Sequence, residues 1–228
     1  MFRLALILLP LLGACSVSRA VAPLPKGSGQ IITSVGGPIT KNLSPAIPLP
    51  MTSVGYMHGL NGKTNVYGEF YPTGLAAFGV GGVGGGVATE VFGPDGAKPR
   101  LMVEGGLYAY AGNNDEGPPP FAARVFPHAQ TTFSWDLKRQ VLYAGLDQLI
   151  QPFPSFRWHF TPLIGGVARV GRVGFQLEYK WMAWYLDNLP IAAEWAGPFH
   201  HGASSVQIGI SVALGPHLPS AKGRGEEK

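Results

Sequence analysis

Apolar and polar residues alternate one by one over long stretches of this chain. In one of them Phe175, Leu177 and Tyr179 alternate with Gln176 and Glu178. Successive side chains of a β-strand point to opposite faces, so each stretch predicts a strand with one apolar and one polar face. Four stretches show the pattern most clearly: residues 101–111, 121–136, 172–185 and 206–214.

The length of these stretches narrows the fold. Strands in globular proteins average about 5–6 residues, and these alternating stretches are longer. A tilted strand needs about 9–11 residues to cross a bilayer. The pattern therefore predicts strands long enough to span a membrane.

Turn residues divide the chain into connections that are alternately short and long. Asn61-Gly62-Lys63 separates residues 54–60 from 64–71, a strong cue for a hairpin. Longer connections cover residues 112–120 and 186–203. Short turns at one end and long loops at the other are typical of outer-membrane barrels.

Counting strands through these connections gives a topology. With a first strand at residues 30–35, both chain ends fall on the short-turn side and the count is ten. Eight is the alternative, because the first segment and the glycine-rich residues 79–86 are ambiguous. We predict an all-β fold, an antiparallel up-and-down β-barrel over residues 29–216, followed by a polar C-terminal tail at 217–228.

Alternation does not say which face points inward, but composition favours apolar residues outside. Charged residues are 13% of the chain, against about 25% in soluble domains, too few to coat a water-exposed surface. Pro127 and Pro162 argue against membrane strands, because each removes a donor in mid-strand. Aromatic residues crowd towards strand ends, as in interfacial belts: Trp135, Tyr143, Trp158, Trp181, Trp184 and Tyr185. The polar faces carry charges of both signs that we place in the lumen: Glu104, Arg124, Arg157, Arg172, Glu178 and Lys180.

The N-terminus has the three parts of a secretory signal peptide at residues 1–14, predicted as a cleaved signal helix: Arg3, a short apolar run, and small residues. Leu12-Gly13-Ala14-Cys15 resembles the lipobox of bacterial lipoproteins at every position. The resemblance implies cleavage before Cys15, diacylglycerol on its sulfur, and acylation, for instance by palmitate, of the new N-terminus. The alternative is an ordinary signal peptide with a chance cysteine. Cys15 is the only cysteine, so it has no disulfide to form.

The segment after the lipobox and the first hairpin complete this picture. Residues 15–28 lack periodicity and contain proline and glycine, so we predict a lipidated cysteine followed by a flexible tether. Residues 53–60, the turn at 61–63 and residues 66–69 resemble a strand–turn–strand unit of small bacterial outer-membrane barrels.

Candidate catalytic chemistry is weak. Glu194, His200, His201 and Ser204 supply a carboxylate, a base and a nucleophile close together, as a lipid esterase on a barrel rim needs. Their spacing matches no motif, and we expect a solvated loop and no enzyme. Neither a metal nor another cofactor is expected, because the histidine pair lacks a third ligand nearby.

The predicted function is structural or interactive: a lipoprotein barrel in the bacterial outer membrane, anchored by acylated Cys15. Loops 112–120 and 186–203 are available to protein partners. No basic stripe with interleaved aromatics indicates nucleic-acid binding. Two alternatives stay open: a lipocalin-like periplasmic or surface barrel around an apolar ligand, and the rim esterase.

Overall fold

A computed structural model describes residues 16–39, 48, 50–113, 121–137, 139–152, 156–187, 196, 198 and 201–215. Within these ranges the chain forms ten strands: β1 Gly29–Pro38, β2 Met51–Gly59, β3 Thr64–Phe70, β4 Val80–Phe92, β5 Arg100–Asn113, β6 Phe121–Leu137, β7 Gln140–Gln151, β8 Arg157–Val170, β9 Val173–Asp187 and β10 His201–Leu214. A short helix, α1 Pro72–Phe78, joins β3 to β4. No described helix has the length and apolar character needed to cross a bilayer.

The strands close into one antiparallel barrel. Each strand pairs with its neighbours in sequence, and β1 pairs with β10 to close the ring. The closing ladder keeps one register throughout, from Gly29 opposite Leu214 to Pro38 opposite Ser205. The predicted ten-strand up-and-down barrel is confirmed, and the eight-strand alternative is wrong, since the glycine-rich segment is part of β4.

The two ends of the barrel differ in their connections. At the short-turn end, β2–β3, β4–β5, β6–β7 and β8–β9 are joined across residues 60–63, 93–99, 138–139 and 171–172. At the long-loop end, the five connections cover residues 39–50, 71–79, 114–120, 152–156 and 188–200, and three of them are longer than every connection at the short-turn end. β1 begins and β10 ends at the short-turn end, as the strand count predicted.

The two mid-strand prolines lie where a ladder stops. Pro127 pairs with Leu107 of β5, whereas pairing of β6 with β7 begins only at His128. Pro162 pairs with Leu146 of β7, and pairing of β8 with β9 begins at Leu163. Each proline therefore occupies an edge-like position on one side, which is where strands tolerate it.

The barrel has the polarity of a membrane barrel: apolar outside and polar inside. On β9 the outward Leu177 is 59% exposed, while its neighbour Glu178 is 1% exposed and faces the lumen. The same division holds around the ring. Exposed outward residues include Ile31, Val54, Val83, Val103, Leu107, Val125, Phe133, Leu142, Ile164, Phe175, Ile208 and Ile210.

The N-terminal segment corrects one prediction. Residues 16–24 lie inside the barrel, where Ser16, Val17, Ser18, Arg19 and Ala20 are all buried. They are therefore not the flexible tether that was predicted over 15–28. Composition alone predicts a linker because proline, glycine and serine form no periodic face. Side chains of the lumen wall supply the contacts that hold this segment in place. Residues 1–15 and the tail at 217–228 lie outside the described residues.

Candidate functional site

Residues 16–24 form a plug in the short-turn half of the lumen, called the N-terminal plug below. Wall side chains bind its backbone. The amide of Ser18 donates to Oε2 of Glu178 (3.0 Å), and its carbonyl accepts from Nε2 of Gln176 (2.9 Å). Further along, the amide of Leu24 donates to Oδ1 of Asn65 (2.9 Å). These bonds satisfy backbone groups that would otherwise be buried without partners.

Arg19 is the principal polar anchor of the plug. Its guanidinium donates to Glu69, to Oε1 of Glu104 (3.1 Å) and to the hydroxyl of Tyr108 (3.0 Å). It also stacks over the ring of Tyr67, with Cζ 4.4 Å from the ring centroid. Both carboxylate side chains and the guanidinium are almost fully buried. The planar guanidinium of arginine suits this position, because it can donate to two carboxylates while it stacks on an aromatic ring.

A second polar group lies on the opposite wall, around Lys180. Its Nζ is 3.4 Å from Oε1 of Glu178 and 3.8 Å from Oδ2 of Asp147. The hydroxyl of Tyr143 donates to Oε2 of Glu178 (2.8 Å). Glu178 therefore joins this group to the plug through Ser18.

The lumen has more acid than base. Among the described residues its buried carboxylates are Glu69, Glu104, Asp147 and Glu178, and its buried cations are Arg19 and Lys180. The plug thus supplies one of the two positive charges. Removing Arg19 would leave Glu69 and Glu104 without their cation.

Tyrosines fill the wall beside Arg19, and the glycines of β4 make room for them. The rings of Tyr108 and His128 stack with centroids 4.2 Å apart, and Tyr67 bonds Nε2 of His128 (2.8 Å). A Cβ added at Gly84 would lie 2.7 Å from Oε1 of Glu69 and 2.8 Å from Cδ1 of Tyr108. The glycine-rich stretch therefore leaves space on the inner face of the barrel wall, and large side chains from neighbouring strands lie flat against it.

Apolar side chains complete the filling in two halves. In the short-turn half, Val17, Ala20 and Leu24 pack on the side of β1–β5, and Val21 packs against β7 and β8. In the long-loop half, a separate cluster contains no plug residue: Met51, Tyr71, Tyr108, Tyr110, Phe126, Leu149, Met182 and Ala203. Two packed layers therefore lie in series along the lumen.

The predicted lumen charges separate into three groups. Glu104, Glu178 and Lys180 are buried in the lumen, and Arg124 is half-buried on the inward face of β6. Two of the set are misplaced. Arg157 is exposed because it is the first residue of β8, and Arg172 is exposed because it lies in the β8–β9 turn.

Three residues of the site were not predicted. Glu69 and Asp147 share inward faces with Tyr67 and Tyr143, so the alternation of β3 and β7 could have identified them. No local pattern marks Arg19, whose partners lie 50 and 85 positions away.

The predicted aromatic belt is only partly present on the outer surface. Trp135 and Trp158 are exposed near opposite ends of the barrel. Tyr143 does not belong to it, because it faces the lumen and bonds Glu178. The side chains of Trp184 and Tyr185 lie outside the described set, and Trp181 is half-buried, its indole donating to the carbonyl of His201 (2.9 Å).

The structure does not assemble the candidate catalytic group from the residues that it describes. Ser204 lies on the outward face of β10, with its hydroxyl 2.9 Å from that of Tyr179. His201 is exposed at the start of the same strand. Glu194 and His200 lie outside the described residues.

No family model and no curated protein matches the chain. One solved structure with a similar fold is the translocator domain of the autotransporter NalP from Neisseria meningitidis. It is 9% identical, with a TM-score of 0.43, over 91% of this chain and 94% of that one. The ten-strand barrel is established by its own strand pairing.

Proposed function

We propose that the chain is an integral β-barrel of the bacterial outer membrane, closed by its own N-terminal plug, with a structural or interaction role. The observation that carries the proposal is the polarity of the wall. Large apolar side chains point outward around the ring, and the charged ones meet inside. Such a surface is stable against lipid and costly against water.

The lipocalin-like alternative requires the opposite polarity. A barrel that encloses an apolar ligand turns its apolar faces inward. Here the interior holds Arg19, Lys180 and four carboxylates, and the chain's own residues 16–24 occupy the space. An apolar ligand would meet charged groups and would have to displace the plug.

Membrane insertion is tested independently of any lipid anchor. In a Cys15→Ala variant, insertion predicts that the protein stays in the membrane pellet after a carbonate wash. A second form, with an ordinary cleavable signal peptide fused to Ser16, covers the case in which the variant is not exported. Release of either exported form into the supernatant contradicts insertion.

Acylation of Cys15 is a further part of the proposal, supported by the lipobox. Ser18 is bound to Glu178, the sixth residue of β9, roughly 17 Å along the strand from the short-turn end. Residues 15–18 span at most about 11 Å when extended. Acyl chains on Cys15 therefore reach lipid only if the first plug residues leave this position. The rest of the plug can stay in place, because Arg19 has its own partners in the lumen wall.

The anchor is tested by the intact mass of the mature protein and of its N-terminal peptide. Acylation predicts a mature chain that begins at Cys15 and carries diacylglycerol and an amide-linked acyl chain. A mature N-terminus that starts at another residue, or an unmodified Cys15, contradicts it. The absence of enzyme activity stays a prediction, and hydrolysis of lipid esters by the purified protein would contradict it.

A further inference from the structure

Three arginines lie at the short-turn end of the barrel. Arg139 lies in the β6–β7 turn, Arg169 near the end of β8, and Arg172 in the β8–β9 turn. The amide of Arg169 donates to the carbonyl of Arg139 (2.9 Å), so the first two are backbone neighbours. All three are exposed. We call this set the arginine rim.

The arginine rim carries more positive charge than the carboxylates beside it. Arg100 binds both nearby acids, Glu90 (2.9 Å) and Asp136 (2.8 Å). The carboxylate of Asp136 also attracts Arg169 electrostatically, but Asp136 already forms an ion pair with Arg100. Among the described residues no carboxylate lies within ion-pair distance of Arg139 or Arg172.

Exposed apolar side chains adjoin the arginine rim. Val170, between Arg169 and Arg172, is 69% exposed, and Leu137 and Leu142 on β6 and β7 are about half exposed. If the barrel is inserted as proposed, these residues mark the edge of the lipid-facing band. Arg139 and Arg172, in the turns just beyond this edge, then lie at the level of the headgroups of that leaflet, whereas Arg169 shares the inward face of β8 with Leu163 and Val167.

We propose that the arginine rim binds phosphate groups of anionic phospholipid in the leaflet that adjoins the short turns. This inference rests on the proposed membrane insertion. The chemistry is specific to arginine in two ways: its donors match a phosphate with paired bonds, and its weak hydration suits a partly dry boundary. An anionic headgroup also supplies the negative charge that the rim lacks.

The test uses the purified full chain in vesicles of phosphatidylcholine mixed with phosphatidylglycerol. Flotation of the vesicles after a carbonate wash first establishes insertion, and native mass spectrometry then measures the ratio of the two lipids that stay bound. The test variant is Arg139→Gln with Arg172→Gln. The matched control, Lys26→Gln with Lys63→Gln, removes equal charge at the same end of the barrel, on the side of the β2–β3 turn.

We expect the wild type to retain phosphatidylglycerol preferentially. Loss of a basic residue near an anionic surface should lower the ratio about fivefold in either variant. The arginine variant should lower it further than the control does, because only that variant also removes paired donors to phosphate. Failure to float with the vesicles contradicts the proposed insertion itself. Insertion with no lipid preference, or an equal loss in the control, overturns the arginine rim while insertion stands.

Discussion

Arg19 and Glu104 form a buried ion pair of 3.1 Å across 85 positions of sequence, one from the N-terminal plug and the other from β5. The pair joins a segment without regular structure to the barrel wall. Because Glu69 binds the same guanidinium, a single plug residue pairs with two wall carboxylates. The plug is thus part of the electrostatic balance of the barrel.

Replacing Arg19 by methionine should therefore destabilise the folded barrel strongly. The change keeps much of the side-chain volume and leaves Glu69 and Glu104 buried without their cation. Breaking a buried pair in this way costs about 3–5 kcal/mol. Unfolding by urea in detergent, followed by tryptophan fluorescence, measures the change in the free energy of unfolding.

The matched control removes the carboxylate charges as well. In a triple variant, Arg19→Met with Glu69→Gln and Glu104→Gln, no unpaired charge is left around position 19, so we expect most of the loss to be recovered. If the Arg19→Met variant is as stable as the wild type, the plug does not occupy the lumen of the folded protein. Equal instability of the single and triple variants would make packing, not charge, the cause.

The outward face makes a second prediction. Leu177, the fifth of the fifteen residues of β9, changed to arginine should lower stability in lipid by about 2–4 kcal/mol, because the charge falls within the apolar band. Val91→Arg places the same charge near the β4–β5 turn, where the cost is about 0–1 kcal/mol. Both residues are more than half exposed. Refolding titrations in vesicles compare them, and equal costs at the two depths would argue against a membrane around this wall.

The periodic part of the fold could be predicted from sequence, because a strand between lipid and lumen must alternate. Residues 121–136 and 172–185 correspond closely to β6 and β9. In the sequence Pro127 and Pro162 argue against membrane strands, because a local pattern does not show where pairing with a neighbouring strand begins.

The N-terminal plug and its partners are harder to predict from the sequence, for a related reason. Alternation identifies Glu104 and Glu178 as inward residues. Residues 16–24 have no period, and their partners are distant: Ser18 binds Glu178 160 positions away. Arg172 shows the converse error, because alternation continued by one residue beyond β9 placed a turn residue in the lumen.

The glycines of β4 give a third prediction. Gly84→Ala should destabilise the barrel by about 1–3 kcal/mol, because the new methyl group displaces Glu69 and Tyr108 from their positions around Arg19. Gly105→Ala is the control, since an added Cβ there meets nothing within 4 Å. Thermal unfolding of both variants in detergent compares them. If the Gly84→Ala variant is no less stable than its control, the side chains around Arg19 can move aside for the methyl group without cost.

Ion conductance makes the fourth prediction, which concerns the two packed layers in series. Deleting residues 16–24 removes the plug from the short-turn half but leaves Tyr71, Tyr110 and Phe126 packed in the long-loop half. We therefore expect the deletion to lower stability without opening a path for ions. Adding Tyr110→Ala and Phe126→Ala to the deletion removes two large rings from the second layer, and conductance should then appear in planar bilayers. The same two substitutions with the plug in place should stay closed. Steady current through the deletion variant alone would show that the long-loop layer does not seal the lumen, and the plug would then be its only barrier.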